Sequence, residues 1–342
     1  MPVVYCGLDA GSSLCQVAVL DESGAVVAER RFATSERNLI DAIDAIPGEK
    51  HVHLEASTLA EWIRGVLKTR VTRVVVSHPT ENAWIARDPR KSDRRDAFKL
   101  ADLLRRKAPI TEVYYADDAS RAAFKHLVLH YEDLTDQETR LKFKIKARLR
   151  GHGLFPRGDE AYGAGTRERW LAQVRSEAER EALKQMYRIL DETLKQQGEA
   201  KSLMRREGKR FPEVSLLDGA PGVGPIGACQ FVAYIQNPHR FSSKRKLWRY
   251  ARLGITSRSS DGKAIGWQRL DRAGCGRLKA MSHAAFLGAT RRRDDNVFKR
   301  TYRSSLERTH NAIHARLTTQ RKILAVLRAM WKGGTAYRDD QG

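Results

Sequence analysis

Cysteine, proline, long apolar runs and negative charge are all scarce in this chain of 342 residues, and each scarcity excludes something. The four cysteines (Cys6, Cys15, Cys229 and Cys275) lie far apart, with no C-x-x-C pair and no histidine at zinc-ligand spacing. That argues against both a structural zinc site and a disulfide framework, and for reduced thiols in a cytoplasmic protein. No apolar run approaches the ~18–20 residues that cross a bilayer. The chain starts directly on a strand-like run, Val3-Val4-Tyr5-Cys6-Gly7-Leu8, with no basic leader and no cleavage site, so secretion is not expected. Against 63 Lys+Arg there are only 41 Asp+Glu, a formal charge of +22. Such an excess points to a polyanionic partner, most commonly nucleic acid. The plain alternative is a basic enzyme whose charge only keeps it soluble.

What is present falls into three stretches, with expected boundaries at 1–112, 113–212 and 213–342. The first alternates strand and helix signals. Residues 3–8, 14–20 and 25–33 are short apolar runs between turn residues and read as three antiparallel strands. A helix over 36–46 stops at Pro47-Gly48, strands follow at 51–55 and 71–77, and a helix over 58–69 lies between them. A three-strand meander followed by β-α-β is the order of a ribonuclease H-like α/β domain. From about 118 to 210 proline nearly vanishes and charged residues alternate with Leu, Ile and Phe at helical spacing. Leu127, Tyr131, Leu134, Leu141 and Ile145 drift along one stripe, and 166–206 repeats the style after a break at 151–165. Two long helices in an antiparallel hairpin or a dimerising coiled coil are expected. Lys142, Lys144, Lys146, Arg148 and Arg150 form a basic side that either tracks a phosphate backbone or is merely solvated. The last stretch reads as mostly helical, interrupted by a Gly- and Ser-rich segment at 254–266.

Four carboxylates stand out. Asp9 terminates the apolar first strand, Glu55 terminates the fourth, and Asp93 and Asp96 fall three apart on one helical face. Asp102, nine residues past Asp93, points about 180° away. Acids converging on one spot repel unless a cation joins them, and oxygen-only donors suit Mg²⁺. Two such ions serve phosphodiester chemistry. The competing structural reading pairs Asp93 and Asp96 with Arg94, Arg95 or Lys99 on the surface. Asp9-Ala10-Gly11-Ser12 also fits the phosphate turn of the sugar kinase, actin and chaperone ATPase superfamily. The second such loop is lacking here, since Asp218-Gly219-Ala220 has no hydroxyl.

Pro221-Gly222-Val223-Gly224-Pro225 reads as the turn of a helix-hairpin-helix, where Gly222 and Gly224 let backbone amides approach a DNA phosphate or simply make a tight bend. In Thr256-Ser257-Arg258-Ser259-Ser260-Asp261-Gly262-Lys263 a serine hydroxyl flanked by Arg258 and Lys263 has the makings of a nucleophile toward a phosphodiester. Ser257, Ser259 and Ser260 are all open to that role from spacing alone. A Ser/Gly-rich turn is the bland reading. Trp248 and Trp267 either stack on bases or pack.

Together these motifs resemble the insertion-sequence transposases with a DEDD N-terminal domain and a C-terminal serine domain, related to Piv-type DNA invertases. Gly7-Leu8-Asp9 and Leu54-Glu55-Ala56-Ser57 are similar to the family's first two acidic motifs, and Lys91-Ser92-Asp93-Arg94-Arg95-Asp96-Ala97, continuing to Leu100-Ala101, to its third. Pro221 to Pro225 resembles the opening of its transposase domain, Asn237-Pro238-His239-Arg240-Phe241 a short segment within it, and Gly254 to Gly266 its serine loop. The resemblance implies a RuvC-like domain binding Mg²⁺ through Asp9, Glu55, Asp93 and Asp96, and Ser260 as the attacking residue. It further implies a prokaryotic, nucleoid-associated protein working on donor and target DNA with a structured guide RNA, the bridge RNA. Homodimers or homotetramers are implied too, in which the acidic site of one protomer completes the serine site of another. The usual Ser-Ser-Gly-Gly reads Ser259-Ser260-Asp261-Gly262 here, which sets a carboxylate beside Ser260. Two other expectations compete: a junction-resolving, Mg²⁺-dependent endonuclease without serine chemistry, and a non-catalytic nucleic-acid-binding protein.

Overall fold

A computed structural model describes residues 2–78, 92–260 and 263–339. The chain divides into two compact units, 1–115 and 116–342. In the first, β1 (Val3–Ala10), β2 (Leu14–Leu20) and β3 (Val26–Ala33) form an antiparallel meander. Helix α1 (Glu36–Asp44) follows, capped by the Ser35 hydroxyl, and then β4 (Glu49–Glu55), α2 (Ala60–Leu67) and β5 (Arg73–Ser77). The strand order is β3-β2-β1-β4-β5, with β4 parallel to both β1 and β5. This mixed five-stranded sheet is ribonuclease H-like, as the order of elements predicts.

Strand alternation separates its two faces. Val4, Cys6 and Leu8 of β1, with Val52 and Leu54 of β4, are buried in one core with Leu39 and Ile43 of α1 and Ile63 and Leu67 of α2. The opposite face carries Gly7, Asp9, His53 and Glu55, and α3 (Asp93–Arg105) packs on that side. The approach is close: a Cβ on Gly7 would lie 1.9 Å from the Ala97 carbonyl oxygen. No side chain fits there, so glycine at position 7 is what lets α3 lie on β1.

The second unit opens with α4 (Ala119–Gly151), the short α5 (Ala164–Leu171) and α6 (Glu177–Gly208). Gln197 of α6 donates to Glu138 of α4 at 2.6 Å, while the Ile145–Leu149 end packs with Leu183 and Tyr187, so the two long helices run antiparallel. The buried stripe of α4 is Phe124, Val128, Glu132, Leu134, Ile145 and Leu149, with Leu127 only half-buried at its margin. The basic side expected on α4 is not one face. At 100° per residue, Lys142 and Lys146 share a direction and both lie over the Tyr162 ring, whereas Lys144 and Arg148 project elsewhere and are exposed.

Helices α7 (Pro212–Asp218), α8 (Gly224–Ile235) and α9 (Lys244–Tyr250) lead to a two-stranded ribbon, β6 (Ile255–Ser260) and β7 (Lys263–Leu270). Three helices follow: α10 (Gly276–Arg291), α11 (Val297–Thr309) and α12 (Ala312–Gly333). One buried polar node ties α4 to this region: Glu132 accepts from Gln230 at 2.6 Å, from Arg277 at 2.8 Å and from the Tyr234 hydroxyl. Among the described residues no helix is long and apolar enough to cross a membrane.

Candidate active site

Strand register brings two acidic residues of the first unit side by side. Leu8 pairs with Leu54, so Asp9 and Glu55 end neighbouring parallel strands on the face covered by α3. Gln16 stands across from Asp9 on β2, and Ser77 across from Glu55 on β5. Helix α3 supplies the rest. The Ser92 hydroxyl accepts from the Arg95 amide, which sets Asp93 and Asp96 in the first turn, where acids complement the helix dipole. Asp93 is exposed and Asp96 is buried. Arg94 does not neutralise them, because it reaches Glu29 of β3 at 2.7 Å.

Two buried acids on α3 behave differently. Asp102 has both oxygens taken, by Arg105 and Arg106 at 2.7 Å each. Burial alone would raise its pKa, but the hydrogen bonds and charges of the two arginines outweigh it and hold the carboxyl below its ordinary range. Asp96, in contrast, has its Oδ1 sealed from solvent with no hydrogen-bond partner. A buried carboxylate oxygen left so is costly unless something else meets it. Four carboxylates are hard oxygen donors, and a divalent cation suits both the set and the orphaned oxygen. Among the described residues no three His, Cys, Asp or Glu side chains form a ready-made cation cage. His53, two residues before Glu55, was passed over at the sequence level. Its Nδ1 lies 2.8 Å from the Leu100 carbonyl, its Nε2 is buried without a partner, and burial lowers its pKa, so the ring is neutral.

In the second unit the serine segment is a ribbon, not the loop its Gly/Ser content suggests. Ile255 pairs with Leu270 at its foot, Arg258 with Ile265, and Ser260 with Lys263 at its far end. Asp261 and Gly262, and likewise Lys91 of the third acidic motif, lie outside the described residues. The foot is anchored to the helices: Asp271 donates its amide to the Gly254 carbonyl at 2.9 Å and takes Arg249 at 2.9 Å, and Cys275 donates its amide to the Tyr250 carbonyl. Gly222 has a structural reason to be glycine. A Cβ there would come within 2.2 Å of both the Ala285 carbonyl and the Ala289 amide of α10. Gly224 has open space around it and a φ of +62°. Trp248 packs, donating its indole N–H to the Arg321 carbonyl at 2.9 Å. Arg240 lies against both the Phe241 and Tyr250 rings, at 4.6 and 4.5 Å from their centroids.

Comparison with known families decides what these two sites belong to. Residues 6–154 match the model of the DEDD transposase of IS110 type, and residues 214–303 match that of the transposase IS116/IS110/IS902 family. The chain belongs to the IS110 family of transposases. It is therefore an enzyme that cuts and rejoins DNA strands, which sets aside both the kinase-like and the non-catalytic readings. DEDD domains of this kind generally use a divalent metal, in keeping with the oxygen donors at the sheet end. No curated protein matches the chain.

Proposed function

We propose that this transposase excises and integrates an insertion sequence by serine attack on DNA under the direction of a structured guide RNA. The observation that carries the reading is the orphaned Asp96 oxygen on the α3 face of the sheet, where β1 and β4 end in Asp9 and Glu55. The guide RNA and the serine chemistry rest on the motif resemblance, and on the ribbon that carries Ser260 opposite Lys263.

In this mechanism the Ser260 hydroxyl gives up its proton and its Oγ bonds to the scissile phosphorus. The deoxyribose oxygen leaves and takes up a proton, so a phosphoserine ester and a free sugar hydroxyl result. One phosphodiester-type bond replaces another, hence no external energy source is needed to rejoin the strands. The hydroxyl of the incoming strand reverses the step and frees Ser260. Arg258 and Lys263 supply positive charge toward the phosphorane oxygens. Asp9, Glu55, Asp93 and Asp96 would hold Mg²⁺, which when bound stabilises charge on the phosphate and the leaving oxygen. The family resemblance implies an oligomer in which the acidic site of one protomer completes the serine site of another, with the α4–α6 hairpin as the dimerising element.

The test is a denaturing gel for a covalent protein–DNA adduct, using protein co-expressed with the DNA flanking its gene and supplied with element-end DNA and Mg²⁺. An adduct in wild type and Ser259→Ala, absent from Ser260→Ala and Asp9→Ala, is the expected pattern. Cleavage without any adduct, indifferent to both serines, supports the junction-resolving endonuclease instead. Mixing Ser260→Ala with Asp9→Ala protein should restore the adduct if each site draws on two chains.

A further inference from the structure

The foot of the β6–β7 ribbon holds a cleft whose charge the protein does not balance. It measures about 560 Å³ and is lined by Arg252, Arg269, Leu270, Asp271, Arg272 and Lys279. Its single carboxylate is already committed, since Asp271 pairs with Arg249 at 2.9 Å and accepts the Ala273 amide at 2.9 Å. Arg252 is steered into place by its Nε donating to the Gly274 carbonyl at 2.8 Å, on a backbone held at φ +54°. Arg269, Arg272 and Lys279 have no carboxylate partner among the described residues. Lys279 also sits in the first turn of α10, which contains no acid, although a cation at a helix N-terminus is unfavourable. Three unanswered cations, one of them in the first turn of α10, thus line one cleft together with an arginine whose backbone is left-handed. Surface charges that only aid solubility do not need such convergence.

We infer that this cleft is a phosphate clamp for the backbone of a DNA strand. DNA is favoured over the guide because the cleft lies within residues 214–303, the part of the chain that matches a transposase domain acting on DNA. The clamp is not the cutting site. Arg269 lies six steps along β7 from Lys263, about 20 Å at strand rise, or about six nucleotides along a strand rising ~3.4 Å each. The clamp therefore fixes where a strand enters, so that the far end of the ribbon meets a defined phosphate. It acts on affinity and on cut position, with no part in bond making. The inference uses only the family's activity on DNA and does not require Ser260 to be the nucleophile.

The experiment measures anisotropy of labelled element-end and scrambled duplexes over a salt series. It uses the full chain with both Asp9→Ala and Ser260→Ala, so that cleavage does not interfere whichever site cuts. Arg269→Gln/Arg272→Gln/Lys279→Gln should bind both duplexes about tenfold more weakly at 0.15 M salt, and flatten the slope of log K against log salt by about 1 or more. Lys195→Gln/Lys201→Gln/Arg205→Gln on α6 removes the same charge and should cost less than about twofold. The single Arg272→Gln, in the exposed turn after β7, should keep the parent melting temperature and still lose about two- to threefold, which separates binding from folding. Unchanged affinity of the triple variant, or an equal loss in the α6 control, overturns the clamp. A loss confined to guide RNA overturns its assignment to DNA. The serine reading fails separately, through the adduct gel.

Discussion

The two units carry opposite imbalances, and they carry them on scaffolds of different stiffness. In the first unit the acids end strands at the centre of a five-stranded sheet, covered on one side by α1 and α2 and on the other by α3. Asp96 is buried there with an oxygen that nothing in the described protein meets. In the second unit the cations surround the foot of a two-stranded ribbon, an arrangement that is marginal unless anchored. The anchors are few: the Asp271–Gly254 backbone bond, the Arg249–Asp271 pair and the Cys275–Tyr250 bond. One site needs a cation and the other an anion. Each imbalance suits a protein that acts on DNA. Rigid placement suits metal ligands, whose geometry must hold to fractions of an ångström. A ribbon suits a group that has to follow a strand through exchange.

The largest expected effect comes from breaking the acidic half. Asp9→Ala should lower DNA cleavage by roughly 10³-fold, measured on gels under single-turnover conditions. Asp96→Asn should do comparable damage to cleavage yet leave the melting temperature without Mg²⁺ unchanged or raised, because it removes a buried charge that lacks a partner. Wild type should gain stability on adding Mg²⁺, and Asp96→Asn should lose that gain. A Mg²⁺ response that survives in Asp96→Asn means that this acid is not part of the cation site.

Glycine substitutions compare the scaffolds directly. Gly7→Ala drives a methyl into the Ala97 carbonyl of α3, and Gly222→Ala drives one into the backbone of α10. Each should cost about 3 kcal/mol in urea unfolding. Gly224→Ala meets no atom within 4 Å and strains only a φ of +62°, for about 1 kcal/mol. Equal costs at Gly222 and Gly224 would show that turn conformation, and not close packing, dictates these two, with Gly7 in extended β1 as the reference for packing alone.

Much of this was legible in the sequence for identifiable reasons. The five strands of the sheet announce themselves because β-branched and apolar residues are concentrated between turn residues, and an acid ending such a run is conspicuous at Asp9 and Glu55. The ribbon was hidden because Ser257, Arg258, Ser259 and Ser260 are poor strand formers, so composition argued for a loop. A local signal did exist: Asp261-Gly262 is a strong two-residue hairpin pair, and it stands between segments that the structure pairs. The packing partner of Gly222 lies more than sixty residues onward in α10, beyond any local pattern. The buried stripe of α4 passes through Glu132, a residue that periodicity alone assigns to solvent, because Gln230, Tyr234 and Arg277 arrive from distant elements to satisfy it. The cation cleft was invisible for the same reason, its residues coming from the turn before β6, the end of β7 with the turn after it, and the first turn of α10.

The smallest effect sharpens the contrast between the two buried acids of α3. Asp102 is answered by protein alone, through Arg105 and Arg106, and its folded pKa lies below the ordinary carboxylate value. A carboxyl with a depressed folded pKa binds fewer protons folded than unfolded over the window between the two values. Its contribution is therefore complete above the unfolded pKa of about 3.9 and fades as pH falls through the folded one. Asp102→Asn should cost about 1 kcal/mol at pH 7, with the gap to wild type constant down to about pH 5 and closing below about pH 4. Asp96→Asn, measured at pH 7 without Mg²⁺, should show no such loss, since its buried Oδ1 has no hydrogen bond to lose. If both variants instead lose the same stability at pH 7, Asp96 is held by the fold as Asp102 is, and the acidic end of the sheet does not wait for a cation.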